Sequence, residues 1–154
     1  MKGLEEVQNW IKSINEDPIL KILLENSNLT KIQLETFLIE ILSKYFCQDK
    51  IKPEKKASLR LKGKISRGSF NRTLKQAKMN IIRSIYTILL LGYLKIADSS
   101  TLLSRCFEVS GRLRDYVELH QEMLTEDEEK LKVIELVRKE LERILLEYAS
   151  SSDV

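Results

Sequence analysis

Few residues in this sequence could do covalent chemistry, and their types and spacing argue against an enzyme. The chain of 154 residues contains one histidine, His120, and two cysteines, Cys47 and Cys106. A histidine-activated nucleophile would have to use His120, but that residue lies in the apolar seam of a predicted helix, where packing is the simpler role. The two cysteines form neither a disulfide framework nor a zinc motif, and we interpret them as small core residues.

Two further motifs only resemble functional sites. The segment Gly63–Ser69 has the outline of a phosphate-binding P-loop, but no lysine follows its second glycine and no apolar strand precedes it. The acidic run at residues 126–129 stands at a predicted helix start, where negative charge complements the helix dipole. The sequence therefore predicts a non-catalytic protein with no catalytic residue, no metal site and no cofactor.

Positive charge is concentrated in one part of the chain. Residues 50–84, which we call the basic segment, contain 12 Lys or Arg against a single acid, Glu54, which gives a net charge of +11. Residues 1–49 carry a net charge of −3 and residues 85–154 a net charge of −5, so the total is only +3. Such segregation says more about binding partners than the total charge does.

Helical periodicity dominates both sides of the basic segment. Apolar residues recur at spacings of three and four in six stretches that begin near residues 4, 18, 30, 66, 98 and 125. Helix caps are predicted at Asp17, Thr30, Ser66 and Asp98, with a further capping box formed by Thr125 and Glu128. We predict an all-α bundle of five or six helices, with the stretch 80–95 of a long central helix at its centre and a C-terminal antiparallel helical hairpin.

Residues 48–65 interrupt this pattern. Pro53 is interpreted as a helix breaker, and Leu59, Leu61 and Ile65 alternate with basic residues as in a strand. Residues 57–65 are predicted to be a strand, an arm or a poor helix. The predicted organisation is a helical unit 1–47, a basic connector 48–65, a helical unit 66–149 and a frayed tail 150–154, with one compact domain 1–149 as the alternative.

The start of the long helix resembles a known DNA-binding element. Residues 65–72, Ile-Ser-Arg-Gly-Ser-Phe-Asn-Arg, run into Ala77 and Ile81 and are similar to the turn and recognition helix of helix-turn-helix proteins. The nearest resemblance is to the last DNA-binding region of bacterial sigma factors, over roughly twenty residues. This resemblance implies that Arg67, Asn71, Arg72 and Lys75 face DNA.

Three interpretations of the basic segment remain open. The first is binding to nucleic acid, since clustered cations displace counterions from phosphates. The prediction is DNA binding in transcription or chromosome organisation, and the choice between DNA and RNA stays open. The second is a helical adaptor or scaffold subunit that docks an acidic protein partner, and the third is packing against the acidic parts of the same chain. The predicted nucleic-acid-binding residues are Lys55, Lys56, Arg60, Lys62, Lys64, Ser66, Arg67, Ser69, Asn71, Arg72, Lys75 and Lys78.

Assembly and location follow from weaker patterns. The seams of the last two predicted helices repeat about every 3.5 residues, which predicts a homodimer. The most apolar stretch, between Arg83 and Lys95, is roughly half of the ~20 residues that a membrane span requires. We therefore predict a cytoplasmic protein without a membrane partner.

Overall fold

The computed structural model describes residues 2–47, 50–96, 98–120 and 127–150. It is all-helical, with 82% helix, and the described residues contain no strand. Seven helices follow one another: α1 (Lys2–Glu16), α2 (Pro18–Glu25), α3 (Lys31–Phe46), α4 (Pro53–Ser58), α5 (Arg67–Tyr93), α6 (Ser99–His120) and α7 (Asp127–Ser150). The all-α prediction is confirmed, and the strand considered for residues 57–65 is absent.

Four predicted helix starts are confirmed by their caps. Asp17 Oδ1 accepts hydrogen bonds from the Ile19 and Leu20 amides at the start of α2. Thr30 and Gln33 form a reciprocal capping box for α3. The Ser66 hydroxyl accepts from the Ser69 amide at 3.1 Å, and Asp98 Oδ1 accepts from the Ser100 amide at the same distance. Each cap satisfies an amide that has no partner within the helix. The capping box predicted at Thr125 lies outside the described residues.

The helix missed by the sequence pattern is α4. Pro53 occupies its first turn, where a missing amide hydrogen costs nothing and the fixed φ angle favours helix. The interpretation of Pro53 as a helix breaker was therefore wrong, and the described residues form seven helices rather than five or six. α4 has only six residues, which is too short for a visible helical period.

The chain divides into two compact units, residues 1–83 and 84–154. The core of the first unit is formed by seven buried residues from α1, α3, α4, the turn after α4 and the start of α5: Val7, Ile11, Ile39, Leu42, Ala57, Leu59 and Phe70. Ala57 and Leu59 belong to the stretch predicted as a connector. The predicted connector thus contributes two residues to a core, and the division observed does not coincide with the boundaries predicted at 47 and 65.

In the second unit, α6 and α7 pack against each other. Val109, Leu113, Tyr116, Val133, Leu136 and Val137 line a mostly apolar cavity of about 140 Å³ between the two helices. Arg112 on α6 reaches Glu140 on α7 at 3.9 Å. The antiparallel hairpin stays a prediction, because its connection at residues 121–126 lies outside the described residues, as do residues 151–154 of the predicted tail.

The stretch predicted to form the centre of the bundle is not buried. Ile85, Tyr86, Leu89, Leu90 and Tyr93 each expose between 51% and 86% of their surface. The prediction was based on the second half of the helix, which is apolar on every side. Such a pattern favours burial, but it does not indicate which other element buries the helix. Among the described residues, no helix is both long enough and apolar enough to cross a membrane.

The end of α5 is closed by a left-handed residue. Lys95 has a φ angle of 55°, and it is the only non-glycine residue with positive φ in the described chain. The Ile96 amide donates to the Leu91 carbonyl and the Lys95 amide to the Gly92 carbonyl, the two hydrogen bonds of a Schellman motif. Glycine is the usual residue at this position, because a side chain there is strained.

Candidate nucleic-acid interface

The predicted site residues separate into an exposed set and a buried pair. Ten of the twelve are exposed: Lys55, Lys62, Lys64, Ser66, Arg67, Ser69, Asn71, Arg72, Lys75 and Lys78. Lys56 and the Arg60 side chain are buried in the first unit. Residue type does not distinguish the buried cations from the exposed ones, because both sets contain Lys and Arg at neighbouring positions in the sequence.

Lys56 is held by an acidic residue of α3. Its Nζ lies 2.8 Å from Glu40 Oε2, and the two side chains are only 11% and 13% exposed. Lys44 approaches the other oxygen of the same carboxylate at 3.1 Å. Burial raises the pKa of Glu40, but the hydrogen bonds and charges of Lys56 and Lys44 outweigh it and hold that pKa below its ordinary value.

Arg60 is likewise paired with an acidic residue of α3, Glu35, which precedes Glu40 on that helix. Its Nη2 lies 3.6 Å from Glu35 Oε2, and the two side chains are 8% and 7% exposed. Glu35 Oε1 also accepts a hydrogen bond from the Leu61 amide at 2.6 Å. For Lys56 and Arg60, the interpretation as packing against the chain's own acidic part is the right one, and we remove both from the candidate interface.

These ion pairs position the loop that carries the next exposed cations. Leu59 is buried and the Leu61 amide is bound to Glu35, so the chain is attached on the α3 side before it turns. Gly63 then adopts a φ angle of 98°, in a region that L-residues with side chains rarely occupy. Lys62 and Lys64 flank this turn and are exposed.

The orientation of α5 within the first unit is set by its apolar face. Phe70 and Ala77 are 1% and 0% exposed, which fixes the side of the helix that meets the core. Further along, the Asn80 amide nitrogen donates to the Asn28 carbonyl at 2.8 Å and to Gln33 Oε1 at 3.2 Å. Both acceptors lie at the start of α3 or just before it, so the helix is held at two points.

The opposite side of α5 is consequently polar and basic. Asn71, Lys75 and Lys78 follow one another at spacings of four and three, so they share one stripe of the helix surface. Arg72 lies beside this stripe, three residues before Lys75. All four side chains are exposed, so they face solvent together.

One exposed cation of the segment has an acidic neighbour that sequence reasoning did not anticipate. Arg67 Nη1 lies 3.4 Å from Glu54 Oε1, with the side chains 63% and 58% exposed. This pair forms because α4 brings Glu54 close to the start of α5. An exposed pair of this kind contributes about 0–1 kcal/mol and does not remove Arg67 from solvent.

We define the basic surface as seven exposed cations: Lys55, Lys62, Lys64, Arg67, Arg72, Lys75 and Lys78. Glu54 is the one acid within residues 50–84. Lys50 and Lys52 are also exposed and were not selected from the sequence. The only signal for them was their place in the same charge run, because neither belongs to a periodic helix face.

The region before α5 departs from a helix-turn-helix. That motif joins its two helices by a turn of about three to four residues. Here residues 59–66 separate α4 from α5, and α4 itself has six residues. The resemblance to the sigma-factor region is therefore confined to the first turns of α5.

Comparisons with known proteins supply no relative: no protein-family model, no curated protein and no solved structure matches the chain. In the part of the chain that the structure describes, no group of three or more His, Cys, Asp or Glu side chains is arranged to hold a metal ion. The function of the chain is therefore inferred from the geometry and charge of its own residues.

Proposed function

We propose that this chain is a non-catalytic nucleic-acid-binding protein, acting on DNA in transcription or chromosome organisation in the cytoplasm. The observation that carries the proposal is the basic surface, in which seven cations are exposed around a single acidic residue. Lys56 and Arg60 are paired with Glu40 and Glu35 inside the first unit, and Arg67 lies 3.4 Å from Glu54. The excess of exposed cations that remains on the basic surface is suited to a polyphosphate backbone.

The basic surface divides into two roles. Lys55, Lys62, Lys64, Lys75 and Lys78 are point charges suited to phosphate oxygens, where they give affinity without sequence preference. Asn71 and Arg72 lie in the first turns of α5, the part of a recognition helix from which side chains reach base edges. Asn pairs in two-point fashion with adenine and Arg with guanine, so these two residues are the proposed source of any sequence preference.

The test compares two triple variants of equal charge. One replaces Arg72, Lys75 and Lys78 by Ala on α5, and the control replaces Arg138, Lys139 and Arg143 by Ala on α7. The control cations are exposed and each lies near an acid of its own helix. Both variants lower the net charge from +3 by the same amount. We expect the α5 variant to weaken binding to a fluorescent duplex oligonucleotide by tenfold or more, whereas the control binds like the wild type.

Single substitutions separate positioning from base readout. Lys75→Ala or Lys78→Ala should weaken binding to all sequences alike and reduce the salt slope by about one. Asn71→Ala should instead cost about 1–3 kcal/mol on preferred sequences and little on others. Equal loss on every duplex after Asn71→Ala would restrict the proposal to sequence-independent binding.

A second candidate is a helical adaptor or scaffold subunit that docks an acidic protein. It is favoured by the exposed apolar residues of α6 and α7, of which Phe107, Leu131 and Leu146 expose 64–73% of their surface. Exposed apolar residues in such number are typical of assembly surfaces. If the wild-type chain shows no salt-sensitive affinity for duplex or single-stranded oligonucleotides, the adaptor replaces the nucleic-acid proposal.

A further inference from the structure

The surface with no role in the proposed function is an apolar seam in the second unit. Tyr86, Leu89 and Tyr93, in the last turns of α5, follow one another at spacings of three and four. They expose 66%, 55% and 86% of their surface. Ile88 and Leu91 on the same stretch are less exposed, so the seam is the more exposed side of this part of the helix.

The spacing of the seam is that of one heptad of a coiled coil. Steps of three and four keep these side chains on one stripe that can face a partner helix. In heptad terms Tyr86 and Tyr93 occupy a positions and Leu89 occupies the d position between them, and α5 ends at Tyr93. A helix with this repeat fits another helix of the same repeat, and the simplest such partner is a second copy of itself.

The lack of charge narrows the choice of partner. Residues 84–94 contain no Asp, Glu, Lys or Arg, although 32% of the whole chain is charged. An acidic or basic partner would find nothing to pair with along this stretch. When this seam faces an identical seam on a second copy, no like charges are brought together. The charged segments on either side of it could not pair with themselves in this way.

The exposed area is sufficient for a dimer. Since an aromatic side chain buries about 150–250 Å², the exposed fractions of Tyr86 and Tyr93 amount to about 230–380 Å². Ile85, Leu89, Leu90, Leu94 and Ile96 are each about half exposed and bring the apolar total to about 400–700 Å². A stable interface takes about 800 Å² from each partner, of which somewhat more than half is apolar.

We propose that the apolar seam is a self-association surface, through which two copies of this chain pair along residues 86–93. The proposal is independent of nucleic-acid binding and differs from a dimer formed through the seams of α6 and α7. Pairing would cover apolar side chains that are exposed in the single chain. It would also join two basic surfaces in one particle.

The test is the mass of the full chain by analytical ultracentrifugation at micromolar concentrations, for three proteins. We expect the wild type to sediment at twice the chain mass of 18.0 kDa. Leu89→Glu places a charge in the middle of the seam and should give the monomer. Thr87→Glu adds the same charge at an exposed position of α5 outside the seam and should leave the dimer intact. Far-UV circular dichroism checks that all three proteins keep their helix content.

Three outcomes would overturn the proposal. A wild type that sediments at the monomer mass shows that the seam does not join two copies of the chain. A different protein or a lipid surface would then be the remaining candidate partner. Equal dissociation of both variants shows a general effect of charge instead of a seam. A dimer that survives Leu89→Glu with its helix content unchanged assigns the contact to another surface.

Discussion

Two adjacent lysines show how differently similar residues can behave at the scale of single side chains. Lys55 is exposed, whereas Lys56 is buried against Glu40 on α3, 16 residues away along the chain. Both were predicted to bind nucleic acid. Only the fold separates them, because the short helix α4 turns one side chain outward and the next inward.

The two lysines are therefore expected to give opposite results when each is changed to Met. Lys56→Met leaves the Glu40 carboxylate without its closest partner and should lower the free energy of unfolding by about 1–3 kcal/mol. Lys55→Met should change stability by less than about 0.5 kcal/mol. Urea denaturation followed by circular dichroism measures both changes.

Binding reverses the order of the two variants. Lys55→Met should reduce the slope of log affinity against log salt, while Lys56→Met should leave it unchanged under conditions in which the protein is folded. A loss of slope in Lys56→Met equal to that in Lys55→Met would contradict the assignment of Lys56 to the core.

The same ion pair makes stability depend on pH in the acidic range. The pKa of Glu40 is lowered from an ordinary value of 4.5, so the folded state binds its proton more weakly than the unfolded state does. The resulting stabilisation is present above the ordinary pKa and is lost as the pH falls through the lowered one. We expect wild type and Glu40→Gln to differ most near neutral pH and to converge as the pH falls through the lowered pKa of Glu40. In a Lys56→Met background, the pH-dependent part of this difference should shrink.

At the scale of the helices, the local signals in the sequence were sufficient wherever a helix begins with a cap. Asp17, Thr30, Ser66 and Asp98 act over two or three residues, so each start could be predicted without knowledge of the fold. α4 could not be predicted, because its stabilisation comes from the distant residues Glu40 and Glu35 and from burial of Ala57. The alternation in residues 59–65 does not correspond to an apolar and a basic face, because Leu61 is 40% exposed whereas the Arg60 side chain is buried against Glu35.

The end of α5 permits a stabilising substitution. Lys95→Gly removes the side chain from a left-handed position at a helix C-terminus and should raise the free energy of unfolding by up to about 1 kcal/mol. Ser104→Gly, at an exposed position inside α6, should lower it by about 0.5 kcal/mol. Thermal unfolding of the two variants measures these opposite shifts, and a destabilised Lys95→Gly would show that the Lys95 side chain makes a contact worth more than the strain.

At the scale of the whole molecule, charge separation was visible in the sequence and persists on the surface. The count along the chain located the basic segment, and ten of the twelve selected residues are exposed. The stretch 80–95 was wrongly predicted to be the centre of the core, because hydropathy indicates a preference for burial and does not indicate which residues provide the cover. The division of the chain inside α5 was equally invisible, since the helix runs through it without a break in periodicity.

The most direct test of the nucleic-acid proposal is a salt series of binding to a duplex oligonucleotide. Each phosphate contact contributes about 0.9 to the slope of log affinity against log salt, so three to seven contacts from the basic surface predict a slope between about −3 and −6. The same series with the variant lacking Arg72, Lys75 and Lys78 should give a slope shallower by about two to three. A wild type with no measurable affinity at low salt, or with an affinity that does not change with salt, would contradict the account.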